Sequence, residues 1–165
     1  MKRKEITLFL SNLLIHEKLC GNGKYYASEV SLDFGSNDVK RVDFMQFIPL
    51  NQKSVSDLEK GEFISYEIKS CKADFNSGFG KNFETEKNFF VMPISLYKEV
   101  VSDIPWDVGV LCPIPTDRNE MDEFENPTGF EQPVIWRLKK IKPAYARARQ
   151  RSLTELLFCM LRSGR

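Results

Sequence analysis

Residues 63–71, near the middle of the chain, alternate between apolar and polar side chains. The apolar positions hold Ile64, Tyr66 and Ile68, and the positions between them hold Ser65, Glu67 and Lys69. A repeat of two residues is typical of a β-strand with one face in the core and the other toward solvent. The pattern therefore predicts a half-buried strand with Glu67 and Lys69 side by side on its polar face.

Similar patterns predict the other elements of the fold. Alternation or short apolar runs indicate strands over residues 25–34, 39–50, 88–92, 107–112 and 134–141. Apolar stripes at helical spacing indicate helices over residues 4–18 and 153–161, and shorter helical pieces begin near residues 72 and 95. Helix, three strands, short helix, strand, helix and strand follow one another, which predicts an α/β fold with a mixed β-sheet flanked by helices.

Two segments in the second half are predicted to be irregular. Pro113 and Pro115 are expected to end the strand over residues 107–112, because proline has no N–H to donate to a neighbouring strand. The acid-rich segment over residues 117–126 is expected to be a solvated loop.

Length and composition place the chain among ordinary globular proteins with one core. It has 165 residues, of which 42% are hydrophobic and 28% charged. The formal net charge is +1, so the total charge gives no nucleic-acid signal. No apolar run reaches the length of a membrane span, so no membrane contact is expected.

Cysteine and histidine usage narrows the chemistry. The four cysteines show no CxxC spacing, which argues against a zinc site and indicates free thiols in a reducing cytoplasm. His16 is the single histidine, so the sequence gives little support to a Ser–His or Cys–His mechanism.

A third charged position precedes the Glu-x-Lys pair. Asp43 interrupts the otherwise apolar run over residues 39–48, in the strand expected directly before that of Glu67 and Lys69. Two carboxylates suit Mg²⁺, which keeps several of its waters. Asp43 and Glu67 are therefore candidate metal ligands, with the backbone carbonyl of Ile68 as a further oxygen. Lys69 is placed to orient an attacking water or to offset charge on a phosphoryl group.

An Asp on one strand followed by Glu-x-Lys on the next resembles the skeleton of the PD-(D/E)xK nuclease superfamily. The surrounding sequence, over residues 25–93, is similar to that of the MmcB-type DNA-repair branch. The similar segments are Arg41-Val-Asp43, Glu67-Ile-Lys-Ser, Ala73-Asp-Phe75 and Glu86-Lys-Asn-Phe-Phe-Val-Met-Pro93. Ser77-Gly-Phe-Gly-Lys-Asn82 departs from the Asp-Lys-Trp that the branch carries after its Asp-Phe. The resemblance implies a restriction-endonuclease-like core and metal-dependent hydrolysis of DNA in repair, recombination or phage DNA metabolism.

The resemblance also implies further site residues. Glu29, in the preceding strand, is the first choice for an additional catalytic acid, and Glu17 in the first helix is the alternative. Lys72 and Lys81 are expected to contact DNA phosphates, with simple solvation as the commoner explanation for surface lysines.

The C-terminal part of the chain has a strong local charge. Residues 137–151 contain seven Lys or Arg and no acid. The sequence predicts a nuclease-like domain over residues 1–143 and a basic tail with a short amphipathic helix over residues 144–165. The tail is expected either to bind the DNA backbone through Arg147, Arg149 and Arg151, or to be a linker whose helix packs on the core or on a second subunit in a homodimer.

Together these patterns predict a cytoplasmic, nuclease-like protein that uses Mg²⁺ or Mn²⁺ and no organic cofactor, with DNA as its partner. Two alternatives stay open. One is a protein of the same fold that binds DNA or a repair partner without cutting. The other is an unrelated protein in which Glu67 and Lys69 form a surface ion pair.

Overall fold

A mixed β-sheet forms the centre of the computed structural model, which describes residues 2–78 and 80–163. Within those residues the sheet has six strands in chain order, which are β1 (Tyr25–Leu32), β2 (Lys40–Ile48), β3 (Glu62–Ile68), β4 (Lys87–Val91), β5 (Gly109–Pro115) and β6 (Trp136–Lys142). The first three strands are antiparallel, β3, β4 and β5 are parallel, and β6 returns antiparallel to β5. The predicted α/β fold with a mixed sheet is confirmed.

Helices cover both faces of this sheet. They are α1 (Arg3–Leu14), which continues as a π-helical segment (Ile15–Leu19), α2 (Val55–Glu59), α3 (Lys72–Asn76), α4 (Ile94–Val100), α5 (Glu120–Glu125) and α6 (Leu153–Arg162). The predicted first and last helices are therefore present. Within residues 2–78 and 80–163, no helix combines the length and the apolar character that crossing a membrane requires.

The core divides between the two faces of the sheet. On one face, Leu10 and Leu14 of α1 pack in a cluster that contains Ile64, Tyr66 and Ile68 of β3. The opposite face carries two clusters, one with α4 against β4 and β5 and the other with α6 against β1, β2 and β3. The alternation in β3 thus places its apolar set as the sequence predicts.

β3 differs from the prediction in its other face. Glu67 is 4% exposed and Lys69 is 3% exposed, so the expectation of a half-buried strand is wrong. The physical reason is that β3 is central in the sheet and the chain after α3 folds back over its polar side. The alternative of a surface ion pair between Glu67 and Lys69 is wrong for the same reason.

β5 runs through the two prolines that were expected to end it. Pro113 lies opposite Leu138 and Pro115 opposite Trp136 on β6. The prolines stand two residues apart, so their missing N–H groups fall on one side of the strand. Because the pairing of β4 with β5 reaches only Leu111, one side of β5 needs no donors beyond that point.

The acid-rich segment forms α5 instead of the expected solvated loop. The Asn119 side chain caps this helix by accepting a hydrogen bond from the Asp122 N–H at 2.8 Å, and acidic residues occupy its first turn. Glu123 is 1% exposed, and its carboxylate accepts from Arg118 and from the Thr128 N–H at 2.8 and 2.7 Å. Asn119 and the acidic residues after it are therefore a helix start that the sequence analysis did not recognise in this polar segment.

The segment after β6 is bound to the sheet along its length. Backbone N–H groups of Tyr145, Arg147 and Gln150 donate to the carbonyls of Asp107, Glu86 and Glu84, at 2.9, 2.9 and 3.2 Å. α6 then packs its buried Leu156, Cys159 and Met160 in the core cluster of β1 and β2. Of the two alternatives for this segment, packing on the core describes the helix. Met1, Phe79, Gly164 and Arg165, which belong to the two predicted ranges, lie outside the described residues.

Candidate active site at the end of the third strand

Strand register brings two acids together. Phe44 of β2 lies opposite Tyr66 of β3, so the next position along the pairing sets Asp43 opposite Glu67. Asp43 Oδ2 accepts a hydrogen bond from the Ile68 N–H at 2.8 Å, and the Asp43 and Glu67 side chains are hydrogen-bonded to each other. We call these two residues the acid pair.

Lys69 is the third member of this group. Its side chain is buried next to the acid pair, and its positive charge lowers the pKa of both acids. The Lys69 N–H donates to the Val91 carbonyl at 2.9 Å, which fixes the end of β3 against β4. One ammonium thus lies beside two carboxyls, in a setting from which most water is excluded.

The acid pair is electrostatically strained. Burial, and after it the negative charge of Asp43, raises the pKa of Glu67 to about 9, against an ordinary 4.5. Burial also raises the pKa of Asp43. At neutral pH the pair therefore retains a proton. Glu67 Oε1 is buried and has no hydrogen-bond partner among the described residues, so it is an oxygen available to a ligand.

Gly80 closes the pocket over these side chains. Its φ is +68°, a left-handed conformation that favours glycine. A Cβ at this position would overlap Glu67 Oε2 and lie 3.1 Å from Lys69 Nζ. The sequence analysis did not identify Gly80. The signal that could have found it is the pair of glycines, Gly78 and Gly80, in residues 77–82, where the sequence departs from the MmcB-type branch. We call residues 80–86, which run from this point to β4, the covering segment.

The donor set fits a hard divalent cation with few protein ligands. Within residues 2–78 and 80–163, no group of three His, Cys, Asp or Glu side chains is arranged to hold a metal. Two carboxyls that share a proton, one of them with an unpartnered oxygen, provide acidic ligands for Mg²⁺, which retains several waters. A bound cation would take the place of the shared proton.

Glu29 lies opposite Asp43 in the pairing of β1 with β2, but its carboxylate turns outward to Arg41. Its side chain is 58% exposed and forms an ion pair with Arg41, with Oε2 2.8 Å from Nε. Glu29 has a φ of +54°, and the alternation of β1 changes phase there, because Ala27 and Val30 face the same core cluster despite their odd separation. Arg41 nevertheless lies close enough to lower the pKa of both members of the acid pair.

Glu17, the alternative acid, is exposed in the π-helical segment. Arg3, at the start of α1, binds Asp74 at 2.8 Å, so this end of the helix is the one near the site. Glu17 lies fourteen residues further on, about 20 Å along a helix axis. The first helix therefore directs Arg3 toward the site and Glu17 away from it.

Asp74 is the further acid that lies near the pair. Its negative charge raises the pKa of Asp43. Its own oxygens accept from the Ser70 N–H at 3.1 Å, the Ser70 hydroxyl at 3.3 Å and Arg3 at 2.8 Å. These contacts fix the turn between β3 and α3.

The two lysines expected to contact DNA flank the site. Lys72 begins α3 and lies 3.9 Å from Glu99, with more than half of each side chain exposed. The Lys81 ammonium stands 4.4 Å above the centre of the Phe75 ring. Both belong to the stretch that follows the acid pair in the chain, and neither is neutralised by a buried carboxylate.

The three C-terminal arginines are neutralised within the protein. Arg147 binds Asp107 with its Nε at 2.7 Å, and Arg149 binds Glu86 at 2.8 Å. Arg151 reaches the carboxylates of Asp33, Glu84 and Glu155, at 2.7, 3.1 and 2.7 Å. We call residues 147–151 the arginine strap. The structure does not bring these side chains to the acid pair, since Asp107 and Glu86 precede β5 and β4, at the ends of the parallel strands opposite to Glu67.

The strap holds the covering segment in place. Arg147 also donates to the Phe83 carbonyl at 3.2 Å, Arg149 binds Glu86, and Arg151 binds Glu84. At its other end, the covering segment is tied to β2 where the Asn82 side chain donates to the Arg41 carbonyl at 3.2 Å. The arginines therefore position the part of the chain that closes the site.

The fold defines an α/β protein with a six-stranded mixed sheet in its described residues, in which the buried Glu67 of β3 lies beside the half-buried Asp43 of β2. No protein-family model and no curated protein sequence matches the chain. A solved structure, the SPO1766 protein of unknown function from Silicibacter pomeroyi, is similar to it with a TM-score of 0.56 and 16% sequence identity. The match covers 98% of this chain and 85% of that one. At this identity the similarity shows a shared fold alone.

Proposed function

We propose that the protein is a metal-dependent nuclease that hydrolyses phosphodiester bonds of DNA, with Asp43 and Glu67 as ligands of Mg²⁺ or Mn²⁺. The observation that carries this proposal is the buried, hydrogen-bonded acid pair on neighbouring strands with Lys69 beside it. An Asp and a Glu-x-Lys in this arrangement support the resemblance to the PD-(D/E)xK superfamily and its MmcB-like branch. We place its role in DNA repair, recombination or phage DNA metabolism on that resemblance.

Each residue of the group has a defined part in the proposed reaction. A divalent cation supplies polarisation of the phosphate and acidification of a bound water. Asp43 is held in one orientation by the Ile68 N–H, and the Ile68 carbonyl would be the further oxygen ligand. Glu67 would release its proton to solvent when the cation binds and would offer Oε1, which lacks another partner among the described residues. Lys69 would orient the attacking water or offset charge that develops on the phosphoryl oxygens.

Substrate phosphates are contacted in this proposal from the side of the covering segment. Lys72 and Lys81 stand on either side of the turn that leads into it, and Arg41 lies next to the acid pair. Cations there neutralise backbone phosphates without needing a particular sequence. The arginine strap contributes by positioning the covering segment.

A cleavage screen tests the proposal. Linear, branched and single-stranded DNA are incubated with Mg²⁺ or Mn²⁺, and Asp43→Asn, Glu67→Gln and Lys69→Met are each expected to lower the rate by about a hundredfold or more. Glu62→Gln is the matched control, because Glu62 lies on the same strand and only pairs with Lys87 at the surface. If the wild type cuts none of these substrates with either metal, catalysis is excluded.

Binding without cleavage is the second candidate function. Glu67 and Lys69 are almost completely buried under Gly80, so a substrate must displace the covering segment before it reaches them. A protein that kept this segment closed would bind DNA, or a repair partner, on the surrounding cations alone. In that case Lys72→Ala and Lys81→Ala weaken DNA binding, whereas Glu67→Gln leaves it unchanged and no DNA is cut.

A further inference from the structure

A cavity of about 320 Å³ lies at the carboxyl ends of the parallel strands, where Ser70 in its wall binds Asp74, the acid whose charge raises the pKa of Asp43. Ser70, which follows Lys69 directly, forms part of its wall, together with Pro93 after β4 and Pro113 in β5. The cavity wall and the acid pair therefore both belong to the end of β3. Its volume is at the lower end of the range of roughly 300–1,000 Å³ that is typical of small-molecule sites.

We propose that this cavity binds one nucleobase of the substrate strand, and that it prefers bases with an exocyclic amino group. The inference rests on the proposed nuclease function, because it assigns a second contact to the same substrate. The substrate strand would then be held at two points, because the metal site would bind one of its phosphates and the cavity would bind a neighbouring base.

The cavity wall is built before any ligand arrives. Its outer side is the loop over residues 127–131, which Glu123 holds by accepting from both the N–H and the hydroxyl of Thr128. Phe130 of this loop packs against Phe9 and Trp136, with ring centroids 4.9 and 5.2 Å apart. A preformed pocket loses little conformational entropy on binding, which favours a small rigid ligand such as a heterocycle.

The chemistry of the lining selects a base and disfavours a phosphate. Of the described residues that line the cavity, none is Lys or Arg, so a phosphate would find no cation there. Apolar surface comes from Ile6, Ile94, Phe130 and the prolines, which suits the face of a planar ring. The lining also carries the carboxylate of Glu131 and the hydroxyl of Ser95, which accept hydrogen bonds. Adenine, cytosine and guanine present amino donors to such acceptors, and thymine does not.

The same geometry predicts the form of the DNA. A base within a duplex is stacked and paired, so it must leave the helix before it enters a pocket. A single strand or an unpaired end avoids that cost. We therefore expect the cavity to favour single-stranded substrates or branched ones with unpaired nucleotides.

The test measures binding of short fluorescent single strands of dA, dC or dT with phosphorothioate linkages, which resist hydrolysis, in the presence of Mg²⁺. Wild-type protein is expected to bind dA and dC strands at least about fivefold tighter than dT strands or strands with abasic sites. Ser95→Phe fills the mouth of the cavity and is expected to lower the affinity for dA about tenfold and to remove the preference. Glu131→Gln is expected to reduce the difference in affinity between strands that carry amino-bearing bases and dT strands.

Ser102→Phe is the matched control, because Ser102 is exposed just beyond α4 and does not line the cavity. Circular dichroism checks that both phenylalanine variants are folded. Equal binding of dA, dT and abasic strands by the wild type, or equal effects of Ser95→Phe and Ser102→Phe, would overturn the inference alone, provided that Glu67→Gln still weakens binding. If no strand binds with or without Mg²⁺, the proposed function is overturned together with it.

Discussion

The acid pair and the arginine strap both concentrate ionisable groups, and they differ in how fully the polar atoms of those groups are satisfied. In the strap, Arg149 meets Glu86 and Arg151 meets three carboxylates, with side chains that are partly or largely buried. In the acid pair two neighbouring carboxyls retain a proton at neutral pH, and Glu67 Oε1 has no hydrogen-bond partner among the described residues. A fold tolerates such strain where a ligand relieves it. The proposed function accordingly gives the arginine strap a structural role and the acid pair the catalytic one.

Of the changes considered, a methyl group at Gly80 is expected to have the largest effect on the acid pair. Its Cβ would overlap Glu67 Oε2, so Gly80→Ala should turn the carboxylate that offers Oε1 and lower metal-dependent activity by about tenfold or more. Gly78→Ala is the control, because Gly78 also has a positive φ but nothing within 4 Å of its Cβ position. Metal affinity by calorimetry and the cleavage rate compare the two. Equal losses would show that backbone strain, and not contact with Glu67, matters at this turn.

Removal of a strap arginine should act on stability. Arg151→Ala leaves Asp33, Glu84 and Glu155 without their shared partner, and we expect the free energy of unfolding to fall by about 1–3 kcal/mol. Lys139→Ala, which breaks the more exposed pair with Glu120, should cost about 0–1 kcal/mol. Urea denaturation measures both. A stable Arg151→Ala protein that had lost DNA binding would instead return the strap to a binding role.

The pH dependence of stability should further distinguish the acid pair from the arginine strap. Because the pKa of Glu67 is raised to about 9 in the folded protein, this group favours folding at low pH, and the contribution is lost as pH rises from 4.5 through about 9. Mg²⁺ competes with the shared proton, so it should raise Tm more at about pH 9 than at about pH 6. Thermal melts with and without Mg²⁺ follow this difference. Glu67→Gln, which has no proton to exchange, should abolish it.

The smallest expected effects concern the surface lysines. Lys72→Ala and Lys81→Ala should each weaken DNA binding a few-fold and reduce the slope of log K against log salt by about 1. Arg147→Gln and Arg149→Gln should leave that slope unchanged if the protein remains folded, because their charges are already neutralised by Asp107 and Glu86. Titration at several salt concentrations tests all four. A steeper loss for the arginines would reverse the assignment.

Local patterns in the sequence predicted most elements of the fold. The alternation of β3 correctly indicated which side chains share a face, since that follows from strand geometry alone. The burial of Glu67 was missed because it depends on Gly80 and the covering segment, which the alternation within β3 does not include. The outward turn of Glu29 was not predicted because its left-handed φ changes the phase of β1, and the residue types do not indicate such a change.

The ion pairs of the strap were not predicted, for a different reason. A run of arginines without acids is read as an uncompensated charge when only neighbouring residues are considered. Their partners lie far back in the chain, since Arg147 is 40 residues from Asp107, Arg149 is 63 from Glu86 and Arg151 is 118 from Asp33. Neutralisation over such separations is a property of the folded topology.

The bond from Arg151 to Asp33 also has a consequence for biosynthesis. α6 covers the apolar side chains of β1 and β2, so this part of the core is complete only after α6 has left the ribosome. Until then Val42, Met45 and Phe63 of the nascent chain are exposed, so chaperones can bind them and other chains can aggregate with them. Contacts of such high contact order favour slow, late closure, so truncation before residue 150 should send the product into inclusion bodies.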